Sequence, residues 1–221
     1  MSEKSRTEAH SRRDKILDAA EALFAERGYD GVTLRQIAAL AAVDVALTNY
    51  HFGTKKDLFT TVFHRRAAIL NKVRDEALTA CLNTKVPATL EDIVEAYLRP
   101  LGEIQASADK GWKHYLSLVA WVNNSTEWGR EFMTDNFNPF VSKFIDALKT
   151  TLPNADEQAL YWGYHYMSGA LTLTFADTRR LDTLSGGKAS SSDITVGYKH
   201  MIPFIAAGFR AICDDPDNSN S

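Results

Sequence analysis

The sequence has only two cysteines in 221 residues, Cys81 and Cys213, far apart and each set in an apolar helical pattern. Neither belongs to a CxxC pair or a Cys/His cluster, so a disulfide framework and a structural zinc site have no basis, and two reduced thiols are expected. Long apolar runs are missing. The longest, such as Ile37 to Val43, break well before the roughly 18 residues that a membrane span needs. Met1 to His10 carries charge without an apolar segment, so no secretory leader is read there, and a cytoplasmic protein without a membrane partner is expected. Glycine-rich phosphate loops and Ser/His/Asp groupings are absent too. His114, His165 and His200 lack partners at a metal-ligand spacing such as HxxxH. No metal and no cofactor are expected, which leaves a helical enzyme as a remote reading.

An overall basic excess is also missing. The net charge is −3, but it is unevenly placed: residues 1–66 carry 11 Lys or Arg against 9 Asp or Glu, and the remainder carries 14 against 19. The hydrophobic share of 45% supplies a sizeable core, and no run alternates with period two for long enough to be a strand. An all-helical chain is expected.

What is present is a series of helical patterns with strong punctuation. Ile16, Ala20, Leu23 and Phe24 recur at helical spacing between a Ser11/Asp14 start and Gly28. Thr33 and Gln36 then match a capping box, opening a second helix to about Ala41 whose apolar face is Leu34, Ile37, Ala38 and Ala41. After Ala42-Val43-Asp44, the stretch VALTNYHF can form only two turns before Gly53 ends it and Thr54-Lys55-Lys56-Asp57 begins another helix. An isolated helix this short is marginal in water, so its neighbours must hold it for what its outer side presents. Ile16, Phe24, Ile37, Leu40, Val43 and Phe52 are expected to close a small core, with Thr48 also facing inward. Val45, Ala46, Leu47, Asn49 and Tyr50 face outward.

A capped helix, a tight turn and a compact second helix make a helix-turn-helix, whose second helix enters the DNA major groove. Asn49 can pair bidentately with adenine, and aliphatic neighbours can touch thymine methyls. Lys55, at the next helix N-terminus, is placed for a phosphate.

Residues 11 to 59, RRDKILDAAEALFAERGYDGVTLRQIAALAAVDVALTNYHFGTKKDLF within them, resemble the amino-terminal domain of the TetR family of bacterial transcriptional regulators. The resemblance implies an all-helical homodimer with an N-terminal three-helix DNA-reading domain and a larger helical ligand-binding and dimerisation domain. It implies that Thr33, Tyr50, His51 and Lys55 hold phosphates while Arg35, Val45, Ala46, Leu47 and Asn49 face base edges. Tyr50 and His51 also fit a plainer role as packing residues at a helix end. Two positions depart from the family pattern: Ala42 stands for a glycine and Asp44 for serine or asparagine. Ala42 is strained if its position needs positive φ, and Asp44 repels phosphate unless it caps the short helix. The expected organisation is a disordered basic arm over 1–10 including Arg6, a DNA-binding domain over 11–54, a ligand and dimer domain over 55–213, and a disordered tail over 214–221.

Helical patterns continue over 55–80, 90–107, 112–122, 127–151, 156–179 and 193–213, with Pro139 expected to bend its helix and LSGGKASSS expected to be a flexible connection. Small residues, Gly169-Ala170 and Ala206-Ala207-Gly208, lie among large apolar ones in 156–179 and 193–213, the expected homodimer seam. The candidate effector-binding residues are the aromatics and one histidine Trp112, Tyr115, Trp121, Trp128, Phe132, Trp162, His165 and Tyr166, as an apolar lining with few polar groups is the usual form of a small-molecule site. The segments YWGYHYMSGALTLTFADTRRL and YKHMIPFIAAGFRAI, with NYHFGTKKDLF, resemble a TetR branch that senses fatty acids or their coenzyme A thioesters. That resemblance implies a repressor released from a palindromic operator by a small apolar effector, with Arg99, Lys113, Arg179 and Arg180 as head-group candidates. The same aromatics with Glu95, Glu103, Asp109 and Glu127 also fit a drug-sensing repressor of an efflux pump that takes aromatic cations.

Overall fold

The structure, a computed structural model, describes residues 11–213. The expected arm over 1–10 and tail over 214–221 lie outside the described residues. Among the described residues every regular element is helical, and the chain divides into two compact units between Arg65 and Arg66.

The first unit holds α1 (Arg12–Arg27), α2 (Leu34–Leu40), α3 (Val45–Phe52) and the opening turns of α4 (Lys55–Thr84). Ser11 caps α1 by accepting from the Asp14 amide, as its sequence position indicates. The core gathers Ile16, Phe24, Ile37 and Phe52, joined by Leu58, Phe59, Val62 and Phe63 from α4. The Phe59 ring stands edge-on to both Phe24 and Tyr29, with centroids 5.0 and 5.2 Å away. Those four apolar residues of α4 are why the first unit extends beyond residue 54. Leu40, expected in this core, is 57% exposed. Ile37, Ala38 and Ala41 define the buried arc of α2, and at 100° per residue Leu40 lies about 100° from its centre.

The second unit comprises the rest of α4, α5 (Leu90–Gln105), α6 (Lys110–Asn124), α7 (Gly129–Thr151), α8 (Glu157–Ala176), α9 (Arg180–Leu184) and α10 (Ile194–Cys213). A capping box between Thr89 and Asp92 starts α5, and Asp109 caps α6 while pairing with Arg66 at 2.8 Å. The helix of α7 is unbroken across Pro139. Helix α10 packs on α5 and α8, and α6 packs on α8. Close approach of α8 and α10 depends on Gly163, where a Cβ would lie 2.4 Å from the Phe209 ring. Gly169 and Gly208 instead face open space within the chain.

The connection expected to be flexible is tied down, and a short helix that periodicity did not signal, α9, runs into its first residue, Leu184. Asp182 accepts from the Ser191 amide at 3.0 Å and from the hydroxyls of Ser191 and Ser190 at 2.8 and 3.0 Å. The Ser191 amide and hydroxyl, with a smaller contribution from Ser190, hold the Asp182 carboxyl down at about 2.

Glu21 is 1% exposed and receives the Arg65 guanidinium at 3.0 Å, which also holds Asp18 at 2.8 Å. Removing one partner of a buried pair leaves a charge that water cannot reach. Arg65→Met is expected to lower unfolding free energy by about 3 kcal/mol in urea titration, whereas Asp18→Asn, at the exposed end, changes it by under about 1 kcal/mol.

Candidate nucleic-acid interface and interior cavity

Helix α3 is held at both ends by side chains that the sequence places there. Upstream, the Thr33 hydroxyl accepts from the Gln36 amide at 3.3 Å, and Gln36 Oε1 accepts from the Thr33 amide at 2.8 Å, fixing the start of α2. The Val43 amide donates to Ala38 O at 3.0 Å across the turn, which requires Ala42 at φ 54. Asp44 Oδ1 then accepts from the Ala46 amide at 2.7 Å, so this carboxylate is the α3 cap. Downstream, Gly53 adopts φ 72 and donates to Asn49 O at 2.8 Å. Asp57 accepts from the Thr54 amide and hydroxyl at 3.0 and 2.6 Å, and those bonds lower its pKa.

With the ends fixed, Thr48 and Phe52 are buried and one face is displayed. Val45, Ala46, Asn49, Tyr50 and His51 are exposed, Tyr50 by 82%, while Leu47 is half-buried. Thr33 and Arg35 are exposed on α2. Lys55 is placed differently from its neighbours. Its ammonium donates to Tyr29 O at 3.0 Å and Val32 O at 3.1 Å, and lies 4.1 Å from the centre of the Tyr29 ring. An ammonium has three donors, so one remains for an anion and two clip the α1–α2 connection to α4. Nothing in the local sequence pattern signalled that clip.

In the second unit the eight residues expected around an effector are spread over α6, the start of α7 and α8, and none lines either of the two hollows found there. Trp112 and Tyr115 are buried on α6, with the Arg66 guanidinium 4.7 Å from the Trp112 ring. Trp121 is half-buried on the same helix. Trp128 and Phe132 pack edge-on at 5.2 Å at the start of α7. Trp162, His165 and Tyr166 stand on the exposed face of α8, where the Trp162 and Tyr166 rings stack at 5.8 Å. A small, partly open cavity of about 30 Å³ lies instead among α4, α5, α6, α7 and α8, lined in part by Leu70, Arg74, Tyr97, Asn123, Phe137 and Thr172. A larger hollow of about 290 Å³ opens beside α9, among Leu173, Asp177, Arg180, Leu184 and Met201.

Of the head-group candidates, Arg99 pairs with Glu103, Lys113 with Asp177 and Arg179 with Asp182, all at the surface, and Arg180 lines the larger hollow. The buried guanidinium is Arg74, at 4% exposure. A sequence signal for it existed: Arg74 interrupts the apolar stripe Ala67, Leu70, Leu78, Cys81 at helical spacing, in the middle of a buried face.

Comparison with known proteins gives two family matches. Residues 16–62 match the model described as bacterial regulatory proteins, tetR family, and residues 95–208 match that described as tetracyclin repressor-like, C-terminal domain. A curated relative, the biofilm operon icaADBC HTH-type negative transcriptional regulator IcaR of Staphylococcus aureus (strain Newman), is 47% identical over 154 residues, covering 67% of this chain and 77% of the relative. The fatty acid degradation regulator FadR from Bacillus halodurans superposes with a TM-score of 0.64 at 17% identity, over 90% of this chain and 97% of that one. A transcriptional regulator from Saccharomonospora viridis in complex with choline superposes with a TM-score of 0.56 at 20% identity, over 88% and 95%. At these identities the two structures share the fold.

Left-handed backbone costs a residue with a Cβ about 1 to 2 kcal/mol, and glycine returns part of that through unfolded-chain entropy, about 0.4 to 1 kcal/mol. Ala42→Gly is therefore expected to raise unfolding free energy by roughly 1 kcal/mol, read from chemical denaturation monitored by helical circular dichroism. Loss of stability would mean that Ala42 bears no strain at φ 54.

Proposed function

The chain belongs to the tetR family of bacterial regulatory proteins and is a DNA-binding transcriptional repressor, and we propose that it is released from a palindromic operator by a small apolar effector bound in its second unit. The observation that carries the DNA half is α3: eight residues pinned at both ends by Asp44 and Gly53, displaying Val45, Ala46, Asn49 and Tyr50 on one face. That surface has an amide for adenine and methyl groups for thymine, with Thr33, Tyr50, His51 and the third donor of Lys55 for backbone phosphates. Arg35 and the half-buried Leu47 complete the base-facing set.

For the effector, an acyl compound such as a long-chain fatty acid is favoured over an aromatic cation. The small cavity has Leu70, Leu101, Val119 and Leu171 in its walls, and its charged side chain is a guanidinium, which repels cations. A second copy is proposed to cover α8 and α10, where Trp162, Tyr166, Leu173 and Phe204 are half or more exposed and Gly169 and Gly208 leave room for close approach. In a symmetric dimer two α3 helices would read half-sites about 34 Å apart. The effector then needs only to bind better the form whose α3 spacing does not fit DNA.

Fluorescence anisotropy with labelled operator tests this reading. Asn49→Ala is expected to lose about 1 to 3 kcal/mol on the cognate site and to relax base choice. Lys55→Met weakens every sequence alike and, because Tyr29 O and Val32 O lose a donor, also lowers the melting temperature. A changed base preference from Lys55→Met would overturn the assignment of α3 as the reading helix.

Gly169→Arg is expected to sediment as a monomer with weak operator binding and an unchanged subunit fold, because nothing within the chain lies within 4 Å of that position. A variant that remains dimeric in analytical ultracentrifugation would move the seam off this face.

A further inference from the structure

Arg74 is a charge without a counter-ion. Its side chain lies in the interior of the second unit, 4% exposed, with Nε buried and unpaired. Its neighbours are aromatic faces: the guanidinium carbon lies 3.9 Å from the Tyr97 ring centre and 5.2 Å from that of Phe140. Among the described residues no carboxylate pairs with it. Nor does a nearby phenol supply the anion, since burial holds the Tyr164 and Tyr198 hydroxyls well above their usual range and so neutral. An arginine cannot escape by deprotonating, and aromatic faces offset only part of the lost hydration. A buried, permanently charged and unmatched group is a cost that folding alone does not explain.

The same guanidinium lines the small cavity among α4, α5, α6, α7 and α8, and the polar groups around it belong to one cluster. Asn123 Nδ2 donates to the Thr172 hydroxyl at 2.8 Å and the Ser168 hydroxyl at 3.2 Å, and all three residues line the cavity beside Arg74. The remaining wall is apolar, formed by residues such as Leu101, Val119, Met133 and Leu171. We infer that Arg74 is the docking point for the carboxylate of an organic monoanion, with Asn123, Ser168 and Thr172 beside it and the apolar body of the ligand along the Leu101, Val119 and Leu171 wall. This rests on the reading of the second unit as the effector-binding part of a repressor, and it narrows the effector class to free acids rather than their esters or thioesters.

The cavity volume supports a division of labour. About 30 Å³ holds one small group, so the empty protein has room for a head and not for a tail. Admitting the tail requires lining side chains to give way, and Met133, an unbranched thioether, is the most adaptable of them. The attraction of the guanidinium for the carboxylate would offset that displacement. A water molecule in the cavity would solvate Arg74 but leave its charge unneutralised.

The test is calorimetric binding to the purified full-length protein of straight-chain acids from butanoate to hexadecanoate, each beside its methyl ester, with decyltrimethylammonium as a cationic control. For at least one chain length the acid is expected to bind about tenfold or more tighter than its ester, the size of one charge-assisted contact. Arg74→Met should erase that preference while the ligand-free variant melts at or above the wild type, and Arg74→Lys should keep part of it. Acids that bind no better than their esters at every length, or do not bind, overturn the inference, as does an acid preference that survives in Arg74→Met. If Arg74→Met fails to fold, acid against ester on the wild type and on Arg74→Lys still decides. Operator release is titrated separately. Arg74-dependent acid binding that leaves operator affinity unchanged would sink ligand release and leave the anion site standing, whereas release by ester and acid alike would do the reverse.

Discussion

A helix of eight residues makes too few internal hydrogen bonds to hold itself, and the reading surface of the first unit depends on how the ends of α3 are tied. Asp44 satisfies a free amide at one end, and Gly53 turns the chain out of the helix at the other. Between them only Thr48 and Phe52 anchor α3 in the core, so five of its eight residues are free to face outward. Capping does here what length does elsewhere. The same economy explains Lys55, whose ammonium substitutes for an extra turn of packing by clipping two carbonyls of the α1–α2 connection.

How much of this was legible depends on whether the interaction is local. The Thr33–Gln36 capping box, the Ser11 cap and the inward placement of Thr48 and Phe52 follow from spacings of four residues or fewer, and each is present in the structure; the sequence leaves the role of Asp44 open, and the structure makes it the α3 cap. Leu40 lies outside the expected core because one apolar residue at the end of a seven-residue helix carries no phase of its own; Ile37, Ala38 and Ala41 set the phase. The Lys55 clip reaches 26 residues back to Tyr29 and has no sequence signature. The segment after α8 looked unstructured because its serines and glycines are loop formers. They are ordered by one carboxylate, Asp182, whose partners are eight and nine residues away.

The second unit hid its chemistry for a different reason. Trp112, Tyr115, Trp128 and Phe132 are buried, Trp162 and Tyr166 lie on the surface, and none lines either hollow. Arg74 carries a charge that its residue type places in solvent, although its position in the stripe of α4 puts it inside. In a helical bundle the informative residue is the one whose chemistry contradicts its phase. Interior polar groups such as Asn123 and Thr172 follow the same rule: each is out of character for its face of the helix, and the two meet.

Gly163 and Gly169 look interchangeable in sequence, six residues apart on one helix, but they answer to different tests. A methyl group at 163 would strike the Phe209 ring, so the distance between α8 and α10 is set by a backbone against a ring, with no adjustable side chain between them. The two helices thus form a stiff ply rather than a sliding pair. Any residue larger than glycine at 163 would have to part them, shifting Trp162 and Tyr166 of α8 relative to Phe204 of α10. At 169 the single subunit imposes no such limit. A library of variants sorted only for folding would keep glycine at 163 and admit many residues at 169; with the proposed seam on this face, one sorted for regulation would be narrow at both. The difference between the two catalogues would separate the constraint a chain places on itself from the constraint placed on it by its twin.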